Sequence, residues 1–248
     1  MKLGLDGRTV IVTGASGGVG RELVRAFAAE GAHVVLTYHR SPEAAEALAK
    51  EIGDRALAVP YRMEDADSAR AVVDAALGWT GRIDVLVNNA VRWLVPEAGT
   101  SFEAVPDADW QEMLRANVEG AVRLSRLVAP VMRERRWGRL IHLSSTLARD
   151  GMAGAEYYGT AKAALHGFSR SAAFALGRDG DILSNVVMLG LTRTDTNAHI
   201  IEADGEQYAA LSPLGRLVTA AEVAATVVFL ASAANTAITG QVIVTGGA

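Results

Sequence analysis

The runs "VIV" (10–12), "VVL" (34–36) and "VLV" (85–87) constrain the fold of this chain more than any other feature. Each is short, apolar on consecutive residues and rich in β-branched side chains. Nothing polar alternates within them, so both faces of such a strand must be covered. That happens in a parallel sheet with helices packed above and below it. Related runs follow at "ALAVPY" (56–61), "RLIHLSS" (139–145), "ILSNVVML" (182–189) and "QVIVTG" (241–246). Between them, alanine-rich amphipathic segments predict helices near 18–30, 42–52, 66–78, 107–133, 156–177 and 219–231. The alternation predicts an α/β fold: a doubly wound, Rossmann-like, mostly parallel seven-stranded sheet with helices on both faces. Half of the 248 residues are hydrophobic, enough for one dinucleotide-binding catalytic domain to span 1–248. Periodicity is poor only in 190–216, "GLTRTDTNAHIIEADGEQYAALSPLGR", which reads as a lid over a substrate.

Several function classes drop out. The chain has no cysteine, which removes disulfides, thiolate catalysis and thiolate metal sites, and fits a reducing cytoplasm. No metal site is expected. A net charge of −4 gives no general attraction to nucleic acid. No apolar run reaches the roughly 18 residues of a membrane span, and "MKLGLDGRTVIVTG" does not read as a secretory signal. The basic stretch "RERRW" (133–137) falls where a long helix should end and complements its dipole.

"TGASGGVG" (13–20) joins the first strand to the first helix. A helix start offers unpaired N–H groups and partial positive charge, and glycine lets a pyrophosphate approach the backbone. Gly14, Gly18 and Gly20 form a variant of the dinucleotide fingerprint. The second strand should then end beside the adenosine ribose. A carboxylate there would bind the 2′-hydroxyl of NAD, but the chain reads Tyr38, His39, Arg40, Ser41. Arg40 offers a fork for phosphate oxygens, with His39 and Ser41 as further donors, which favours NADP(H) over a merely solvated turn.

"EYYGTAKAAL" (156–165) places one of only three lysines four residues after a tyrosine. On a helix, Tyr158 and Lys162 share a face, whereas Tyr157 is followed at that spacing by Ala161. An ammonium near a phenol stabilises the phenolate and lowers its pKa, making Tyr158 a usable acid–base group.

With these pieces the chain resembles the short-chain dehydrogenase/reductase family along essentially its whole length. The supporting stretches are "TGASGGVG", "NNA" (88–90), Asn117 in "RANVEG", "SS" (144–145), "YGTAK" (158–162) and "ITGQVIVTGG" (238–247), in that order. The resemblance implies Tyr158 as general acid and Lys162 as a partner of the nicotinamide ribose. It implies Ser145 on the reacting oxygen and Asn117 on a water leading from Lys162 to solvent. At the phosphates it implies contacts from Gly14, Ser16, Gly18, Val19 and Gly20. Around adenosine it adds Tyr38 to Ser41, Arg62 and Met63, and toward nicotinamide Asn89, Ala90, Gly190, Thr192 and Thr194. Arg62 stands where the family usually has an aspartate, Val91 where it has glycine, and Leu189 where it has proline.

The implied chemistry is reduction of a ketone, or the reverse oxidation of an alcohol. Val91, Trp93, Leu147, Met152, Leu189 and Thr192 form the expected substrate wall, whose apolar and aromatic character suits a hydrophobic or polycyclic ketone. The chain is similar to 3-oxoacyl-carrier-protein reductases and to ketoreductases that tailor aromatic polyketides. An NAD-linked alcohol dehydrogenase and a nucleotide-sensing binding protein are the rival readings. The resemblance also implies a homotetramer built through the C-terminal strand and the helices at 107–133 and 156–177; on the latter, Leu165, Phe168, Ala172, Ala175 and Leu176 recur at near-helical spacing, for an interface or for packing on the sheet.

Overall fold

The computed structural model describes residues 2–94 and 99–246. Its strands are Thr9–Val12 (β1), His33–Tyr38 (β2), Ala56–Pro60 (β3), Val85–Asn88 (β4), Trp137–Ser145 (β5) and Asp181–Leu189 (β6). Thr192–Arg193 (β7), Val218–Thr219 (β8) and Val242–Thr245 (β9) complete the set among the described residues. The helices are Gly18–Ala29 (α1), Pro42–Ile52 (α2), Ala66–Thr80 (α3), Asp107–Leu114 (α4), Gly120–Arg135 (α5), Leu147–Asp150 (α6), Glu156–Leu176 (α7), Ala198–Leu211 (α8) and Ala220–Ala231 (α9). Seven strands form one sheet in the order β3-β2-β1-β4-β5-β6-β9, every neighbouring pair parallel.

The unbroken apolar runs follow from the pleat, since successive residues point to opposite faces. Val10, Val12, Val34, Leu36, Val85 and Val87 pack on one side with Leu23 and Phe27 of α1 and Val223 and Val227 of α9. Ile11, Val35 and Leu86 pack on the other with Val72 of α3, Leu124 and Val128 of α5 and Leu176 of α7. The order reverses between β1 and β4, so a crevice opens at their carboxyl ends, where doubly wound sheets take ligands.

Three differences from the sequence expectation bear on function. The helix expected at 107–133 is broken by a π-helical turn, Arg115–Glu119, and the part after it runs to Arg135. The segment 190–216 is not an irregular loop: β7 pairs with β8 in a small second sheet, and α8 lies between them. Periodicity missed α8 because Gly205 is its one fully buried described residue, so no apolar stripe is needed. Of the residues expected on an interface helix, Leu165, Ala172 and Leu176 are instead buried inside their own chain and Phe168 meets the edge of His142, while Ala175 is exposed beside Phe174.

Candidate active site

The crevice is a cavity of about 720 Å³. Its floor is the turn from β1 to α1. Gly14 has φ +63°, and a Cβ there would lie 2.8 Å from Ala90 Cα. A Cβ on Gly20 would lie 2.8 Å from Ala15 Cα, and one on Gly18 would lie 2.7 Å from Thr194 Cγ2. Any side chain at these positions would open the turn. Asn89 braces it, donating from Nδ2 to the carbonyls of Thr13 (2.7 Å) and Gly14 (3.1 Å). The first residue before α1, Gly17, has no side chain to cap the helix, and the first turn carries no acid. The leading N–H groups therefore face the cavity without a side-chain partner, alongside Ser16, Val19 and the glycines. This donor set fits a pyrophosphate.

At the end of β2, Tyr38, His39 and Arg40 line the cavity, and Met63 lies opposite after β3. His39 and Arg40 are exposed. Ser41 instead precedes α2, outside the wall. Arg62, expected beside adenine or the 2′-phosphate, is not in the wall either. Its guanidinium pairs with Asp65 at 2.5 Å, and Asp65 in turn caps α3 through the N–H groups of Asp67 and Ser68. A carboxylate three residues away has captured it.

Tyr158 and Lys162 enter the cavity from α7, beside Leu143, Ser144 and Leu189. Neighbouring serines at the end of β5 point opposite ways. Ser144 lines the cavity, its hydroxyl bonded to the carbonyl of Lys162 (3.1 Å) and to His166 Nε2 (2.8 Å), whereas the expected Ser145 is not in the wall. Ser145 accepts the N–H of Leu147 (3.3 Å) and its hydroxyl works on the Tyr158 phenol. Burial pushes that phenol up to about 12, while Ser145 acts in the opposite direction. Burial pulls Lys162 down to about 8. Its Nζ donates to Leu143 O at 2.9 Å and stands 5.8 Å from the Tyr158 ring centre. So the expectation that Lys162 depresses Tyr158 is not met in this structure: desolvation dominates both groups, and the ammonium is held by a backbone carbonyl.

Asn117 lies in the π turn and does not reach the main cavity. Nδ2 donates to Arg92 O (2.7 Å) and Met113 O (2.9 Å), and Oδ1 accepts from Arg92 N (3.1 Å). The extra residue in the turn gives its side chain the span to clamp the strand that leaves β4. Between Asn117, Lys162 and Tyr61 is a separate cavity of about 10 Å³, at the lower limit for one water.

On the substrate side, Val91, Trp93 and Leu189 are in the wall. Leu147 starts α6 behind Ser145. Met152 is exposed, and its sulfur receives the Tyr208 hydroxyl of α8 at 3.7 Å. Gly190 donates its N–H to Thr245 O, and Thr192 is buried in β7, its hydroxyl donating to Gly190 O; neither lines the cavity. Thr194 does, and Arg21 of α1 is ion-paired with Asp195 beside it. Sequence reasoning missed Thr37, Tyr61, Glu64, Arg92 and Thr196, which also line the wall. Adjacency in the sequence was the one signal for two of them, Thr37 before Tyr38 and Arg92 between Val91 and Trp93. Among the described residues no helix is long and apolar enough to cross a membrane.

A family model described as Enoyl-(Acyl carrier protein) reductase matches residues 14–247. The chain is 36% identical over 244 residues to Nodulation protein G of Rhizobium sp. (strain N33), covering 98% of this chain and 97% of that protein. It is 33% identical over 251 residues to a 3-oxoacyl-(acyl-carrier-protein) reductase of Aquifex aeolicus, covering 100% and 99% of the two chains. The corresponding reductase of Escherichia coli is 33% identical over 246 residues, covering 99% and 98%. Among solved structures, a short-chain dehydrogenase/reductase, glucose/ribitol dehydrogenase, from Brucella melitensis superimposes with a TM-score of 0.90. It is 28% identical and covers 100% of this chain and 98% of its own.

Proposed function

Because the chain belongs to the short-chain dehydrogenase/reductase family and is an oxidoreductase acting between carbonyl and hydroxyl groups, we propose that it is an NADPH-dependent ketoreductase for a hydrophobic, polyketide-type ketone. The observation that carries this is that Tyr158 and Lys162 line one cleft with a bare helix start, with the Ser145 hydroxyl bonded to the Tyr158 phenol.

Bound NADPH would supply the hydride. The protein's own groups manage the oxygen. A carbonyl held at the Tyr158 hydroxyl gains negative charge as it is reduced, and the Ser145 hydroxyl donates a hydrogen bond to that charge. Tyr158 gives its proton to the same oxygen. The pKa near 12 keeps the phenol protonated and ready as an acid at neutral pH. Lys162, still charged below about 8, returns a proton to the phenolate that remains. The small cavity between Lys162 and Asn117 is where a water would replenish Lys162. Asn117 itself positions Arg92 through both of that residue's backbone groups.

Arg40 carries the cofactor preference in this proposal, because it is exposed at the cleft and no ion pair of it is formed with the described acids. Replacing Arg40 with alanine is expected to weaken NADPH binding about 10- to 100-fold and NADH binding far less. Fluorescence titration of both cofactors checks this; equal losses would move the role to His39.

The names of the relatives favour a second substrate class, 3-oxoacyl thioesters. Cofactor consumption with NADPH and NADH across polycyclic quinones, a 3-oxoacyl thioester and small sugars separates the two classes and the NAD-linked alternative. If none is turned over while the cofactor binds, the nucleotide-sensing alternative takes over.

Segment 190–216 acts as a lid in this proposal. Its start is latched through Asp195 and Thr194, while α8 is nearly unburied and meets Met152 through Tyr208. Amide exchange in 195–212 is expected to be faster than in β1 and β4 for the free enzyme and to slow once NADP and a ketone are bound. Full protection in the empty enzyme would make the segment a fixed element instead. Exposed Phe174 and Ala175 on α7 support a homotetramer, for which a monomeric mass by light scattering would be the contrary result.

A further inference from the structure

The two adjacent tyrosines of α7 each carry a tryptophan. Trp93 lies on Tyr158 with ring centres 4.5 Å apart and planes at 13°. Trp110 lies on Tyr157 at 5.8 Å and 18°. Beside both tyrosines a recess is bounded by Leu94, Val105, Asp109 and Met113. The first pair sits in the substrate path, because Trp93 and Tyr158 both line the main cavity.

A separation of 4.5 Å is contact distance, so no substrate ring fits between indole and phenol as they stand. One of them must yield before a ketone can lie against the acid. Tyr158 is 8% exposed and fixed in a long helix, whereas Trp93 is 43% exposed on the strand's continuation beyond β4. The residue before Trp93 is pinned at both backbone groups by Asn117, and its side chain is tied to Glu112 at 2.8 Å. The chain is therefore anchored at Arg92 and can pivot the indole from there without disturbing Tyr158.

We infer that Trp93 is a specificity-determining plate: its indole covers the Tyr158 ring in the empty enzyme and exchanges that contact for one with a flat aromatic ring of the substrate. Swinging the indole away loses an aromatic stack. A planar aromatic ketone restores an equivalent stack, and a puckered saturated ketone of the same size does not. The substrate class is thus aromatic ketones with the carbonyl on or next to a fused ring. The turnover part of this inference rests on the reductase proposal; the stacking part does not.

The test compares wild type, Trp93→Ala and Trp93→Phe on 2-tetralone and 2-decalone with NADPH. These ketones share one fused ten-carbon skeleton and differ in flatness. Wild type is expected to favour 2-tetralone in kcat/KM by about 2- to 10-fold, the range of one aromatic stack. Trp93→Ala should bring the ratio near one, and Trp93→Phe should restore most of it. In parallel, 2-naphthol and 2-decalol are titrated into each protein by calorimetry, which needs no turnover. Wild type should bind 2-naphthol about 2- to 10-fold more tightly than 2-decalol, Trp93→Ala should bring the two affinities together, and Trp93→Phe should restore most of the difference. If neither ketone is reduced but this binding ratio follows that pattern, the plate stands and the reductase proposal falls. A 2-naphthol to 2-decalol ratio that is the same in wild type and Trp93→Ala, no binding of either, or a ketone ratio that does not fall would overturn the plate.

Discussion

Replacing Tyr158 with phenylalanine is expected to lower turnover about 10²- to 10⁴-fold, the usual worth of one positioned general acid. The substitution removes one hydroxyl and nothing else. The ring keeps its place against Trp93, and the cleft keeps its glycine floor and Arg40. Binding of NADPH, followed by fluorescence, should therefore change by no more than a few-fold. Tyr157→Phe is the control, because the two residues are adjacent and both stack on a tryptophan. The Tyr157 hydroxyl donates to Phe102 O at 2.8 Å, away from Lys162 and Ser145. Its loss should cost about 1 kcal/mol of stability and leave turnover nearly intact. Similar activity in the two variants would remove Tyr158 from the acid's role. A loss of cofactor binding equal to the loss of turnover would do the same, since an acid acts on the reaction and not on the binding of NADPH.

The fold was legible in the sequence because burial on both faces writes itself as consecutive apolar residues. Val10 and Val12 serve one layer and Ile11 the other, so no polar position is left over. The pairing of Tyr158 with Lys162 was legible for a similar reason: helical spacing alone puts them on one face. What escaped was decided by contacts between distant parts of the chain. The π turn at 115–119 leaves no trace in hydrophobic period, because its purpose is to let Asn117 reach Arg92. Helix α8 buries too little for an amphipathic pattern to be required of it. Arg62 was drawn to the cofactor on paper, and in the folded chain Asp65 is simply nearer. The electrostatic expectation for Lys162 failed through burial, which a sequence does not state. Both Tyr158 and Lys162 lie deep enough for desolvation to set the direction of their shifts.

The same blindness to depth makes Arg139 the site of the second large effect. In sequence it is the polar opening of "RLIHLSS", fit for a strand end in water. In the structure it is completely buried in β5. Nε donates to Ser232 O at 3.3 Å, Nη1 to Gly138 O at 2.9 Å and Asp181 O at 2.7 Å. Nη2 donates to Asn235 O at 2.9 Å and to the Asp181 carboxylate, also at 2.9 Å. All five N–H groups are used, and the Trp137 ring lies 4.3 Å from the guanidinium carbon. Burial alone would draw its pKa down, and Asp181 offsets part of that. Replacing a buried ion pair with apolar residues is often harmless when both partners are replaced. Here most partners are backbone carbonyls, which no substitution can remove. Arg139→Met should therefore strand several acceptors and cost about 3–5 kcal/mol. For a chain of this size that lowers Tm by roughly 6–20 °C. Arg139 stands six residues, about 20 Å, from Ser145 along β5, so kcat/KM at 25 °C should stay within a few-fold. Asp181→Asn, half exposed and still able to accept a hydrogen bond, should cost far less. Calorimetric unfolding of the two variants decides the matter: a shift of under about 2 °C for Arg139→Met would mean that water or repacked neighbours satisfy those carbonyls, and the guanidinium would not be the clamp of this end of the sheet.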